Sequence, residues 1–187
     1  DAISHIKNNE FSVIERTIIK VNLDSANNTF TDYPYALNEI TIQRKDTTSL
    51  LNISCQINDN YLTNYWSDGL IVSTPTGSTG YSLSNGGSIV SPESKVILLN
   101  PIAPHNINMR SLVIPDNSNI KVNIEGENDI NLSIDSRMYS INSSSQIEIS
   151  KADFTIKTIK FDNDNFYKRL REKLFWGQDM RNKKSKN

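Results

Sequence analysis

Ile120-Lys-Val-Asn-Ile-Glu-Gly-Glu-Asn-Asp-Ile-Asn-Leu-Ser-Ile-Asp-Ser-Arg-Met-Tyr-Ser-Ile-Asn-Ser-Ser-Ser-Gln-Ile-Glu-Ile-Ser150 contains a run of short strands at 120–125, 130–134, 138–141 and 147–149. Apolar β-branched residues recur at every second position, the period of a half-buried strand. Gly-Glu-Asn-Asp and Asn-Ser-Ser-Ser supply the turns between them. The same grammar extends outward. Downstream lies a strand over 154–161; upstream lie 111–114 and the continuous apolar run 96–99, which suits burial on both faces. Leu51, Ile53, Cys55 and Ile57 alternate, Asn58-Asp-Asn60 turns, and 61–66 returns, a hairpin. Residues 38–44 form another strand, followed by an Asp46-Thr-Thr48 turn. Val13, Glu15, Thr17, Ile19 and Val21 mark one set of a strand starting at Phe11, with a turn at Asn27-Asn28. Strands this frequent, with almost no helix between them, predict a mainly β chain: a two-layer sandwich or prism of mostly antiparallel sheets. A short helical segment over 1–9 (Ile3 and Ile6 on one side) precedes it. Phe166, Leu170 and Leu174, interleaved with Lys168, Arg169, Arg171 and Lys173, predict an amphipathic C-terminal helix and then a frayed basic tail. The expected division is 1–164 for the β domain and 165–187 for the helix and tail.

The 187 residues are 36% hydrophobic with a net charge of −1, the balance of a globular chain with no field favouring nucleic acid or an anionic membrane. No apolar run approaches the roughly 20 residues that span a bilayer. The single Cys55 leaves no partner for an intrachain disulfide and fits a reducing, cytoplasmic compartment. With only His5 and His105 beside it, no structural zinc set can form. The opening Asp1-Ala-Ile-Ser-His5 lacks an initiator Met and a signal-peptide pattern, so it reads as the continuation of a longer polypeptide.

Function is written most densely in Asp68-Gly-Leu-Ile-Val-Ser-Thr-Pro-Thr-Gly-Ser-Thr-Gly-Tyr-Ser-Leu-Ser-Asn-Gly-Gly87. It reads as a strand (70–73), a tight turn holding Pro75 and Gly77, and a helix entering near Ser78. The hydroxyls of Ser73, Thr74, Thr76, Ser78 and Thr79 crowd that turn. Together with unpaired N–H groups of a helix start, they are expected to form a polar concavity for phosphate or nucleobase edges. Turn chemistry alone is equally satisfied by a plain Gly/Ser/Thr turn.

The order Asp68-Gly69, Ser73-Thr-Pro-Thr-Gly-Ser-Thr79, Tyr81, Gly86-Gly87 closely resembles the signature of the NAD kinases, which transfer a phosphoryl group from ATP to the 2′-hydroxyl of the adenosine ribose of NAD. Tyr35-Ala-Leu-Asn-Glu39 resembles the family's Asn-Glu motif. Pro101-Ile-Ala-Pro-His105 with Met109-Arg110 resembles its segment after the double glycine, and Asp135 stands where the family carries an aspartate beside the ligand. The resemblance covers about Glu10 to Asp179.

The resemblance implies a dinucleotide site made of Asn38, Glu39, Asp68, Thr76, Thr79, Gly80, Tyr81, Ser84 and Asp135. An Asn donates to and accepts from adenine or ribose edges, and an ionised Glu accepts from ribose hydroxyls; the plain alternative is a turn cap and an outward strand residue. Tyr81 covers a ring or simply packs. Asp68 makes an Asx turn or, with Ser84, meets ligand across a subunit boundary. Asp135 faces phosphate or ribose through a metal or water, or Asp135-Ser-Arg137 forms a plain turn; the family commonly has glycine or histidine where Ser136 stands. His105 and Arg110 are open to phosphate neutralisation or to a subunit interface. Position 80 is commonly alanine in the family; glycine there permits closer approach.

The family's proton-abstracting aspartate lies in a Gly-Gly-Asp-Gly motif of an upstream α/β domain, and neither that motif nor a Walker loop occurs in these residues. The chain is therefore expected to be an NAD kinase C-terminal domain, inactive alone, without a catalytic base or protein-ligated metal of its own. Its expected partners are NAD, ATP with Mg²⁺ and further copies in a homodimer or homotetramer. Two rivals stand beside this reading: the β domain of a lipid or sphingoid-base kinase, whose apolar acyl slot the polar Asn38-Glu39 argues against, and a non-catalytic NADP-binding module.

Overall fold

A computed structural model of the chain describes residues 2–24, 33–45, 49–126, 129–161 and 165–177. Its strands are β1 Phe11–Asp24, β2 Tyr35–Ala36, β3 Glu39–Arg44, β4 Leu51–Ile57, β5 Asn60–Ser67, β6 Gly69–Ser73, β7 Val96–Ile102, β8 Leu112–Pro115, β9 Ile120–Glu125, β10 Asp129–Ile134, β11 Arg137–Asn142 and β12 Gln146–Phe161. They form two six-stranded sheets, β2-β1-β12-β9-β4-β5 and β11-β10-β3-β6-β7-β8. The helices are α1 Ala2–Lys7, α2 Tyr81–Ser84 and α3 Phe166–Lys173. The chain divides into two compact units, Glu15–Ile156 and a second made of Asp1–Ile14 with Lys157–Asn187. The first contains the packed core, whose residues come from both sheets: Ile53, Val122 and Ile147 from one, Ile40, Leu70, Leu99 and Leu132 from the other. The mainly β, antiparallel two-sheet architecture expected from the sequence is the one observed.

Alternation works as the pattern demands. In β9, Ile120, Val122 and Ile124 are buried between half-buried neighbours, and in β10 the same holds for Ile130, Leu132 and Ile134. The β4–β5 hairpin forms, with a register shift at Cys55/Gln56. Burial pushes the Cys55 thiol up to about 12, so it is inert core. β6 is buried along its whole length, as is β7 beyond Val96. Their inner residues meet the opposing sheet. Over the other face lies the segment following β6, tied down where Asn100 Nδ2 donates to the Ser82 carbonyl (3.0 Å) and Asn85 Nδ2 to that of Pro101 (2.7 Å).

Three expectations need correction. The strands expected at 147–149 and 154–161 are one strand, β12. Ser150-Lys-Ala-Asp153 holds no Gly or Pro to stop it, and after pairing with β9 over Ile147–Ile149 the strand still has β1 beside it. Val13, read in one alternating set with Ile19 and Val21, is exposed while those two are buried, because the sandwich core begins only further along that strand, at Ile18, Ile19 and Val21. The helix entering near Ser78 is two short pieces, a 3₁₀ turn at Gly77–Thr79 and the four-residue α2, separated by Gly80. The turns at Asn27-Asn28 and 46–48 and the basic tail lie outside the described residues.

Candidate functional site

Side chains of β3 alternate, so Ile40 and Ile42 enter the core while Glu39, Thr41 and Gln43 face the covered outer side of the sheet. Glu39 pairs with Ser73 and Gln43 with Gly69 in the β3–β6 register, which sets the turn after β6 directly against Leu37-Asn38-Glu39.

That tripeptide is gripped from two sides. From the turn after β6, Thr74 N donates to the Asn38 carbonyl (2.9 Å) and Thr74 Oγ1 to that of Leu37 (2.6 Å), while Ser73 Oγ donates to Asn38 O (3.3 Å). Thr74 Oγ1 also accepts from Gly77 N at 3.1 Å. Gly77 is required here, since a Cβ would overlap the Asn38 carbonyl and lie 2.7 Å from Ser73 Oγ. From the β10–β11 turn, the Asp135 carboxylate accepts three successive main-chain N–H groups: Leu37 at Oδ2 (3.0 Å), Asn38 at Oδ1 (2.8 Å) and Glu39 at Oδ1 (3.2 Å). Asp135 N in turn donates to Glu39 O at 2.9 Å.

Above the tripeptide lies Gly80. A Cβ added to it would sit 3.1 Å from Glu39 Oε2, so the glycine makes room for that carboxyl. Glu39 Oε2 is buried without a hydrogen-bond partner. Burial, and secondarily the Asp135 charge, raise the Glu39 carboxyl to about 7, so near neutrality it exists both as acceptor and as donor. Tyr81, exposed on α2, accepts at its hydroxyl from Gln43 Nε2 (3.0 Å) and so leans along β3.

The structure brings Asn38, Glu39, Gly80 and Asp135 together, with Thr76 and Thr79 on the adjoining turn. The hydroxyl concavity expected at the helix start is corrected. Ser73, Thr74 and Ser78 are fully buried and spend their hydroxyls on main-chain carbonyls, Ser78 Oγ on Pro75 O at 2.7 Å, because a tight turn stacked on a sheet leaves those carbonyls no other donor. Thr79 is exposed, with Oγ1 donating to Thr76 O at 3.3 Å. Asp68 lies at the other end of β6, five residues of strand or about 17 Å from Ser73, and pairs with Arg44 (3.1 Å). His105 is at that same end: its N–H donates to Trp66 O (2.8 Å), while Asp68 N donates to Ile102 O (2.9 Å). Arg110 donates to the carbonyls of Ile107 and Met109 in its own exposed loop. Ser84 is exposed at the end of α2. Sequence reasoning missed Thr74 as a clamp and Gln43 as the partner of Tyr81. The strand register alone, which no local pattern reports, would have found them.

Residues 37–161 match the family model described as the ATP-NAD kinase C-terminal domain. An NAD kinase of Flavobacterium johnsoniae is 44% identical over 181 residues, covering 96% of this chain and 62% of that protein. An NAD kinase of Christiangramia forsetii is 49% identical over 148 residues, covering 79% of this chain and 50% of that protein. The chain thus spans about three-fifths or less of the length of these curated relatives. Among solved structures, yeast NADH kinase complexed with NADH superposes with a TM-score of 0.86 at 27% identity, over 95% of this chain and 53% of that one. An NAD kinase from Archaeoglobus fulgidus shares the fold, with a TM-score of 0.72 at 24% identity over 91% of this chain and 64% of that one.

Proposed function

The chain belongs to the ATP-NAD kinase C-terminal domain family, and from that premise we propose that it is the dinucleotide-binding β domain of an enzyme that phosphorylates the adenosine ribose 2′-hydroxyl of NAD with ATP, giving NADP. The observation carrying this reading is the half-buried Glu39 side chain, whose Oε2 is buried, unpartnered and roofed by a glycine, on a backbone gripped from both sides. A buried polar atom without a partner costs free energy, and a ligand hydroxyl arriving there relieves it. Asn38 sits beside it with both a donor and an acceptor to offer. Thr76, Thr79, Gly80 and Tyr81 border the same position and take the adenosine. The NADH bound to the yeast neighbour supports a dinucleotide on this fold.

Asp68 and Ser84 serve the same ligand from a neighbouring copy. The distance of Asp68 from Glu39 along the strands and the exposure of Ser84 favour sharing across a subunit boundary, in a homodimer or homotetramer. The general base belongs to an upstream part of the polypeptide, consistent with the 62% coverage of the Flavobacterium johnsoniae protein. Residues 1–164 then form the NAD-binding domain and 165–187 its C-terminal appendage. Among the described residues no group of three or more His, Cys, Asp or Glu side chains gathers for a metal. Asp135 spends its carboxylate on three N–H groups. The donor set does not fit a resident cation, so the reaction's Mg²⁺ is assigned to the ATP phosphates. Among the described residues no helix is long and apolar enough to cross a membrane, and a cytoplasmic location is part of the proposal.

What these residues do is orient the acceptor. As a carboxylate, Glu39 accepts from a ribose hydroxyl and turns the reacting oxygen toward the donor phosphate. Steady-state kinetics of the full-length enzyme test it. Charge-assisted hydrogen bonds contribute roughly 1.5–3 kcal/mol, so Glu39→Gln should lower kcat/KM about ten- to a hundredfold with the fold intact. Asn38→Ala should be at least as harmful. Near wild-type efficiency in both variants would remove this pair from the nucleotide site.

A further inference from the structure

The β10–β11 turn carries a carboxylate whose work is all directed at the main chain. Asp135 accepts from three consecutive N–H groups, and its own N–H donates to Glu39 O. It does so from φ +49, a left-handed conformation that Asp and Asn tolerate better than most residues. Ser133 Oγ holds the Asp135 carbonyl at 2.9 Å. We propose that Asp135 is a positioning residue: it clamps Leu37-Asn38-Glu39 in ligand-ready geometry and holds its negative charge against the Glu39 carboxyl, without itself touching the dinucleotide.

This rests on the dinucleotide reading of the site and deepens it. Three N–H groups take three of the roughly four acceptor sites of the Asp135 carboxylate, both of those on Oδ1 included, so most of its capacity is committed to the main chain. The charged and titratable groups around Glu39 make the assignment specific. Arg137 on β11 directs its guanidinium to the carbonyls of Tyr33 and Tyr35 (2.7 and 2.6 Å). Tyr81 on α2 is held by Gln43. The turn after β6 brings hydroxyl and main-chain groups only. Among the described residues Asp135 is thus the charge acting on Glu39, and its effect adds to that of burial.

The test uses the full-length protein, with Asp135→Asn and, as a second variant that keeps the positive φ but removes both side-chain acceptors, Asp135→Gly. Two readouts need no ligand. Amide exchange of Leu37, Asn38 and Glu39 should accelerate about tenfold or more, as expected for loss of charge-assisted bonds, while Ile40 and Thr41 keep their protection. The carboxyl titration of Glu39, followed by carbon NMR, should move to lower pH in both variants. NAD affinity should fall about tenfold in Asp135→Asn, as an uncharged acceptor replaces a charged one. Unchanged exchange at the three amides, or an unmoved Glu39 titration, overturns the proposal. A contact residue would lower affinity and leave both ligand-free readouts alone. Failure of the wild-type protein to bind NAD sinks the functional reading instead, while the ligand-free readouts still decide the clamp.

Discussion

Glu39 shows how much one strand residue can be asked to carry. Its folded carboxyl is raised from 4.5 to about 7 by burial and by Asp135, so the folded state binds the proton more tightly than the unfolded one. The sign follows: below about 4.5 both states are protonated and nothing is lost, and as pH rises through 7 the folded state bears a destabilised carboxylate. Wild-type stability should therefore decline between about pH 4.5 and 7 relative to Glu39→Gln, which carries no ionisable group there. Denaturant melts at several pH values read this directly, and parallel curves for the two proteins would contradict it. Asn38 and Glu39 were legible from the sequence through the family motif. Asp135 was placed beside the ligand on the same ground, yet its three N–H partners are set by register 96–98 positions away in the chain.

Among the elements, the turn after β6 decides most. Thr74 Oγ1 bridges Leu37 O and Gly77 N, so Thr74→Val keeps the shape and leaves buried groups unpaired. Each such loss costs about 1–3 kcal/mol, and a fall of that size in unfolding free energy is expected. Gly77→Ala is expected to be harsher on the site than on the melt: a methyl against a carbonyl must push Asn38 aside, costing roughly 1–3 kcal/mol as overpacking does, and NAD affinity should fall with it. Calorimetry of both variants with and without NAD separates the effects. The strand and the turn were readable as elements, but the inward direction of the hydroxyls was not. A Ser or Thr in a turn serves a ligand or a carbonyl equally well until the surrounding carbonyls are known.

For the whole molecule, the proposal places the base and the ATP-facing residues outside this chain. The 187 residues alone should bind NAD yet form no NADP, since proximity and general-base effects, each worth several powers of ten, are lost together. NADP formation at the rate of the full-length enzyme would refute that. Ile107 is 83% exposed on the loop after β7 and Trp66 is 53% exposed beside it, the kind of apolar surface that copies cover in an oligomer. Sedimentation at high micromolar concentration should give a dimer or tetramer; a strict monomer would argue against sharing Asp68 and Ser84 between subunits.

Period-two alternation and turn chemistry indicated a two-sheet β chain and its hairpins, and the four-residue spacing of Phe166, Leu170 and Leu174 its C-terminal helix, because burial on one face of a strand or helix is a local property of sequence. The ordered motif at 68–87 was enough to indicate the family. Only the tertiary structure decided that 146–161 is a single strand, that Ser73, Thr74 and Ser78 point inward, and that Asp135 grips the backbone of 37–39. Those outcomes depend on which carbonyl, N–H or neighbouring strand lies opposite, and long-range pairing alone provides that partner.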